Sequence, residues 1–253
     1  MSRRDLVTLV ISTAAVAAFA SFVVRRVYGQ RTPQPFTATK IEKFLTSPGT
    51  YGRQEESVFA VRSDGSTSEI ITRLAPDGRV VEQRRISDTV SRRRVSADGL
   101  TDSVTTYKIP PQIALQMGTR PATCNAGPNP QRDRLLGYEV LRVVEDIGRP
   151  GRGKRLESWR APELNCFPLR ETVTLIQPDG SQFVTNVRET TAVVVGQPQP
   201  LLFFITPHYA ERSPSQVFAE FNRRYPDARH RANPTGFGAR VLDDAYLQNQ
   251  NQP

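Results

Sequence analysis

Between Trp159 and Tyr209 the chain reads Leu169-Arg170-Glu171-Thr172-Val173-Thr174-Leu175-Ile176, breaks at Pro178-Asp179-Gly180, and resumes as Gln182-Phe183-Val184-Thr185-Asn186-Val187-Arg188 on to Val195. Two extended runs around an Asp-Gly pair spell a hairpin, because both turn residues tolerate positive φ. The block opens with Trp159-Arg160-Ala161-Pro162-Glu163-Leu164 and closes with Pro200-Leu201-Leu202-Phe203-Phe204-Ile205-Thr206-Pro207-His208-Tyr209. This is where a large antiparallel sheet would bury its heaviest apolar load.

Upstream, the same grammar repeats. Ser57–Arg62, Thr67–Leu74, Arg79–Ile86, Thr89–Ser96 and Leu100–Ile109 read as strands, with turns at Asp64-Gly65, Pro76-Asp77-Gly78 and Asp98-Gly99. Such spacing predicts consecutive hairpins with one polar face and one face packed inward. Arg92-Arg93-Arg94 fits the solvated face. Pro110 to Arg134 holds five prolines and two glycines, which rule out a long regular element and leave room for a turn of helix at Gln112–Met117. Strand signals return at Leu136–Ile147 and Leu156–Arg160. Ser213-Pro214-Ser215-Gln216 is a helix start, with Ser213 as N-cap, Pro214 at the first position and Gln216 completing a capping box. The helix is expected to reach Tyr225, with Val217, Phe218, Phe221 and Tyr225 on one face and Pro226 as the stop. Thr39–Leu45 is expected as a short helix, with Ile41, Phe44 and Leu45 on one side.

The fold class is therefore α+β, mainly antiparallel β: a curved, open half-barrel sheet with one or two covering helices, preceded by an N-terminal apolar helix. The segments are residues 1–29, a signal-anchor or signal peptide; 30–54, a spacer with the short helix; 55–226, the β-rich domain with its C-terminal helix; and 227–253, a polar tail expected to be disordered.

Leu6 to Val24 is an uncharged run flanked by Arg3-Arg4 and Arg25-Arg26. As a helix of ~1.5 Å per residue it would span about 28 Å, close to the ~30 Å hydrocarbon core. Ala18-Phe19-Ala20 is also an acceptable cleavage site, and Arg3-Arg4 resembles a twin-arginine export signal. Transmembrane anchor and cleaved signal both stay open, and both place the remaining chain outside the cytoplasm. In an oxidising compartment Cys124 and Cys166 are expected to form one bridge; the alternative is two free thiols.

Net charge is +9, of which the first thirty residues supply +3 (Arg3, Arg4, Arg25 and Arg26 against Asp5). The rest is spread over strand-like segments without a nucleic-acid motif, so nucleic acid is not an expected partner. Gly148-Arg149-Pro150-Gly151-Arg152-Gly153-Lys154 fills most of a phosphate-loop pattern, but Arg155 stands where Ser or Thr must hold magnesium, and a strand follows where a helix is needed. It reads as a basic hairpin tip. The two histidines, His208 and His230, are far from both cysteines in sequence, which argues against a metal site. Without a Gly-x-Ser-x-Gly elbow, a hydrolase would have to be built around His208 alone. No catalytic set, metal or cofactor is nominated.

The Trp159 block resembles the outer-membrane lipoprotein-sorting, LolA/LolB-like half-barrel superfamily of bacteria. The residues that carry the resemblance are Trp159, Ala161-Pro162-Glu163-Leu164, the Pro178-Asp179-Gly180 hairpin, Leu202-Phe203 and Pro207-His208-Tyr209. It covers about fifty residues, and the closing segment is one residue longer before its proline than the family pattern. The resemblance implies an open half-barrel with helices across its mouth, in which some relatives shield acyl chains. It implies a periplasmic-side address in the bacterial cell envelope, anchored by the N-terminal helix or secreted after cleavage. Trp159, Leu164, Phe203, Phe218 and Phe221 are the candidate cavity or core residues. The leading expectation is a non-enzymatic protein binding a lipid, acyl chain or other apolar ligand in its cavity. The alternatives are a filled structural module contacting an envelope protein partner, and an envelope hydrolase using His208.

Overall fold

A computed structural model describes residues 32–47, 50–118, 124–149 and 152–226. The N-terminal apolar segment Leu6–Val24, His230 and the tail 227–253 lie outside the described residues. Among the described residues no helix is long and apolar enough to cross a membrane.

The strands, in chain order, are β1 (Phe36–Ser47), β2 (Thr50–Val61), β3 (Thr67–Leu74), β4 (Val80–Asp88), β5 (Arg93–Asp98), β6 (Ser103–Lys108), β7 (Arg132–Leu135), β8 (Tyr138–Arg149), β9 (Arg152–Ala161), β10 (Phe167–Ile176), β11 (Gln182–Val195) and β12 (Ala210–Glu211). They form one open, curved sheet in the order β12-β6-β5-β4-β3-β2-β1-β11-β10-β9-β8-β7. Two meanders, β1 to β6 and β7 to β11, are joined along the β1–β11 pair. All neighbours are antiparallel except β12 and β6. Two helices, α1 (Pro111–Met117) and α2 (Pro214–Arg224), accompany the sheet.

The hairpins fall where Asp-Gly pairs place them. Gly65, Gly78 and Gly180 have φ of 84°, 83° and 80°, and Asp77 and Asp179 accept backbone N–H bonds from Arg79 and Ser181. Gly65 has a second duty. A Cβ there would lie 2.2 Å from the Met117 carbonyl oxygen, so the end of α1 rests directly on the β2–β3 turn. Gly65→Ala is expected to lower stability by at least about 2 kcal/mol, the left-handed cost plus the clash. Gly180→Ala, with a similar φ and open space around it, should lose only about 1 kcal/mol. Thermal unfolding of both variants checks this; equal losses would show that α1 does not seat on Gly65.

Three expectations need correction. Thr39–Leu45 is not a helix but the middle of β1, the strand that joins both meanders. Its inward set is Phe36, Ala38, Lys40 and Glu42, a period of two that the polar pair concealed. The sheet therefore begins within the stretch read as a spacer. Thr89–Arg92 is a turn rather than the start of a strand, with Arg92 at φ 54°, and β5 begins at Arg93. Arg132–Leu135, read as loop, pairs with β8 through the Leu136-Gly137 turn.

Helix α2 begins as its sequence dictates: Ser213 accepts from the Gln216 N–H, the Gln216 side chain caps the Ser213 N–H, and Pro214 occupies the first turn. Its Arg224 reaches the Asp102 carboxylate at 2.6 Å and the Leu100 carbonyl at 3.2 Å, and Arg79 donates to the Tyr225 hydroxyl at 3.0 Å. These bonds seat the helix over a small cluster of Ala75, Val81, Leu100 and Tyr225, with Phe221 packed against it. The larger core lies where β1, β2, β8, β9 and β10 converge: Phe36, Trp159, Leu164, Phe167 and Leu169 are its bulkiest members, with Val61 and Val140 between them. Phe167 stands edge-on to Phe36 and stacks on Phe59, with ring centroids 5.0 Å apart in both cases.

Candidate functional site

Side chains directly opposite in paired strands share a face, which lets the register define what one face of the sheet carries. Next to the apolar cluster, that face turns polar. Lys40 is opposite Ser57, Glu42 is opposite both Glu55 and Arg188, and Glu171 is opposite Arg188. Lys40 Nζ is 2.6 Å from Glu69 Oε1, with Arg85 Nη1 3.8 Å from the other oxygen. Arg188 spans Glu42 at 2.9 Å and Glu171 at 2.5 Å, and Asn186 Nδ2 donates to Glu42 at 2.8 Å. Burial pushes the Glu69 carboxyl up, but Lys40 and then Arg85 carry it below its ordinary value. Burial likewise pushes the Arg188 guanidinium down, and Glu42 and Glu171 more than offset this and hold it above its ordinary value. The middle of this face is thus a lattice of partly buried ion pairs, not the apolar trough expected from sequence.

Apolar space remains at one end. A half-open cavity of about 310 Å³ is lined by Phe36, Phe59, Val61, Leu164 and Phe167, and by Met117 at the end of α1. The Lys40 ammonium lies against two of these rings, 5.1 Å from the centre of Phe59 and 5.9 Å from that of Phe167. Leu164 arrives here because Pro162–Leu164 forms a single 3-10 turn after β9, ended by Asn165 in the left-handed region. The Asn165 side chain then pairs with the Gln34 backbone in both directions, accepting its N–H at 2.8 Å and donating to its carbonyl at 2.9 Å. Beside it Cys166 is bonded to Cys124, with their Cα atoms 5.2 Å apart. The bridge ties the Pro-rich segment after α1 to the wall of the cavity.

Of the five candidate residues, the structure brings only Trp159 and Leu164 into one cluster, and only Leu164 reaches the cavity. Phe203 sits on the 3-10 turn Pro200–Phe203, its ring centre 3.8 Å from the Arg62 guanidinium carbon. Phe218 is exposed on α2, and Phe221 belongs to the second, smaller cluster. Sequence reasoning missed Phe36, Phe59, Phe167 and Met117. Alternation of Phe36 with Ala38, and of Phe167 with Leu169, was the signal that could have found two of them.

The exposed His208 ring lies 4.1 Å from Tyr209, and no serine or carboxylate oxygen hydrogen-bonds it among the described residues. No cluster of three or more metal-ligating side chains occurs among them either. On either side of residues 150–151, which lie outside the described residues, Gly148 is opposite Gly153 and Arg149 opposite Arg152, and β9 runs on where a phosphate loop requires a helix. A second, more polar hollow of about 580 Å³ lies along β6, bounded by Thr105–Lys108, Glu211–Pro214 and Gln216.

No family model and no curated protein sequence matches the chain. Among solved structures, the complex of MucA and MucB from Pseudomonas aeruginosa is 17% identical with a TM-score of 0.40, over 75% of this chain and 62% of that one. A structure of MucB in complex with MucA(peri) gives 17% identity and a TM-score of 0.39, over 74% of this chain and 59% of that one. An outer membrane lipoprotein-sorting protein domain from Vibrio parahaemolyticus is 8% identical with a TM-score of 0.31, over 67% of this chain and 89% of that one. The chain thus spans less than two thirds of the length of the two MucB structures. At these identities and scores the likenesses carry no argument about activity, ligand or partner.

Proposed function

We propose that this chain is an extracytoplasmic, non-enzymatic binding module that holds a small apolar ligand, such as one acyl tail, at the end of its sheet. The observation that carries the reading is the cavity walled by Phe36, Phe59, Val61, Leu164 and Phe167. At about 310 Å³ it lies at the lower end of ligand-pocket sizes, roughly 300–1,000 Å³. It suits a single tail and not a multi-acyl lipid laid along the sheet, where the Lys40–Glu69 and Arg188–Glu42 pairs would be met by hydrocarbon. The Cys124–Cys166 bridge supports an oxidising compartment, and Leu6–Val24 would serve as the anchor or signal that delivers the chain there.

The test is mass spectrometry of an organic extract from protein purified after envelope-targeted expression. A stoichiometric apolar molecule is expected, and it should be lost from Val61→Phe, which fills the cavity, and retained by Phe204→Ser, an exposed control on the segment after β11. A clean extract, or a ligand indifferent to Val61→Phe in a variant with an unchanged circular-dichroism spectrum, overturns the reading. A second reading, an envelope interaction module, is favoured by the ion pairs that fill the middle of the same face.

A further inference from the structure

One edge of the sheet is covered for two residues and then left open. β12 pairs in parallel with β6 only at Ser103 and Val104. The Arg212 N–H donates to the Val104 carbonyl at 2.9 Å, Thr105 Oγ1 donates to the Arg212 carbonyl at 2.9 Å, and the chain then turns away into α2. Backbone groups in a strand alternate sides. The Asp102 and Val104 carbonyls accept from the β12 side, while the Ile109 N–H donates to Arg92 on the β5 side. The alternation therefore turns the N–H and C=O of Thr106 and Lys108 outward, past the end of β12. They open onto the hollow of about 580 Å³ bounded by Thr105–Lys108 and Glu211–Pro214.

The charge at the open end of this edge is mainly basic, against Glu211 at the β12 side of the hollow and Asp88 of β4 opposite Arg93. Arg93 is directly opposite Lys108, and both are exposed, as is Arg92 in the adjoining turn. Among the described residues none of these three cations has an ion-pair partner. Like charges directly opposite in a sheet are unfavourable unless an anion is supplied. A second copy is disfavoured as the occupant, because its own β6 edge would bring the same cations together and its other open edge, β7, carries Arg134, Arg132 paired with Glu139, and a single Asp133, which is no acidic complement. We propose that the β6 edge is a strand-addition site for an extended acidic segment of a partner protein. The segment bonds to the backbone of Thr106 and Lys108, and its alternate carboxylates sit beside Lys108 and Arg93. This site is separate from the apolar cavity and does not rest on it.

The experiment is amide hydrogen exchange on the full chain with two probes, a short peptide alternating glutamate and valine and its lysine-for-glutamate counterpart. The glutamate peptide is expected to slow exchange at Thr106 and Lys108 and to weaken as salt is raised; the lysine peptide should do neither. Arg93→Glu combined with Lys108→Glu should reverse the preference by about tenfold or more. Thr106→Pro removes an outward N–H, leaves the bonds to β5 in place, and should abolish protection at Lys108. Three results would each overturn the proposal. One is no protection at these two amides at peptide saturation, and another is equal protection by both peptides. The third is protection already present in the full chain and released by deleting 227–253, which would give the edge to the chain's own C-terminal segment.

Discussion

Replacing Cys124 and Cys166 together by serine is expected to lower stability by about 4 kcal/mol, from loop-closure entropy alone, for a bridge that closes a sequence separation of 42. The loop is unusually well placed for this effect. It contains β7, β8 and β9, so the bridge holds one end of the second meander against the turn that follows β9. It also supports two consecutive left-handed residues, Asn165 and Cys166, with φ of 59° and 60°. Once the bridge is gone, that turn keeps the Asn165–Gln34 pair and the bond from the Cys166 N–H to the Ala161 carbonyl at 2.9 Å. Urea unfolding of the oxidised chain, the reduced chain and the double serine variant checks the value. Reduction should bring the parent to the variant's midpoint and leave the variant unmoved. A loss below about 1 kcal/mol would mean that the loop is already restricted in the unfolded chain. Because Cys166 also lines the cavity, any apolar ligand bound there should leave faster from the variant.

The sheet was legible because its signals are local. Asp-Gly pairs set the hairpins, and Ser213, Pro214 and Gln216 set the start of α2, with no help from distant residues. What was not legible depends on pairing between strands far apart in sequence. β1 concealed itself because its inward positions include Lys40 and Glu42, which read as solvent-facing until Glu69 and Arg188, 29 and 146 residues away, are brought beside them. The same ion pairs removed the apolar trough, which the alternation of strands cannot distinguish from a polar one. The candidate cavity failed for a related reason. The expected residues come from the Trp159 block and the helix after it, but the cavity draws two of its three rings, Phe36 and Phe59, from β1 and β2 far upstream, and the third, Phe167, from β10 within the block. Only Leu164 was both conspicuous and correctly placed. The cysteine pair was found because compartment and count constrain it more than geometry does.

Arg188→Gln is expected to cost about 3 kcal/mol at neutral pH, because it leaves Glu42 and Glu171 facing each other without their shared cation. Both carboxylates are well buried, with side-chain exposures of 10% and 13%, whereas Arg188 retains 31%. That residual solvent contact places the loss at the lower end of the roughly 3–5 kcal/mol range for a broken buried pair. The pH dependence separates this cause from simple loss of packing. In the variant, acid protonates one of the two carboxylates and relieves their repulsion, so the penalty shrinks as pH falls. Glu69, whose folded pKa lies below its ordinary value, loses its contribution as pH falls through that folded value in the parent and the variant alike, so it leaves the difference between them nearly unchanged. The relief of the Glu42–Glu171 repulsion should therefore bring the two stability curves together as pH falls from 7 towards the ordinary carboxylate range of about 4. Arg188 itself adds no slope in that window, since its raised pKa keeps it protonated in both states. A penalty constant across that window would show that Arg188 acts through its stem and not its charge. The complementary variant, Glu42→Leu with Arg188→Met and Glu171→Leu, removes all three charges at once and should stand within about 1–2 kcal/mol of the parent. Its remaining cost falls on Asn186, which loses Glu42 as acceptor. If the triple variant is stable while Arg188→Gln is not, the ion pairs specify where β1, β10 and β11 register against one another, and contribute little to how firmly the sheet is held.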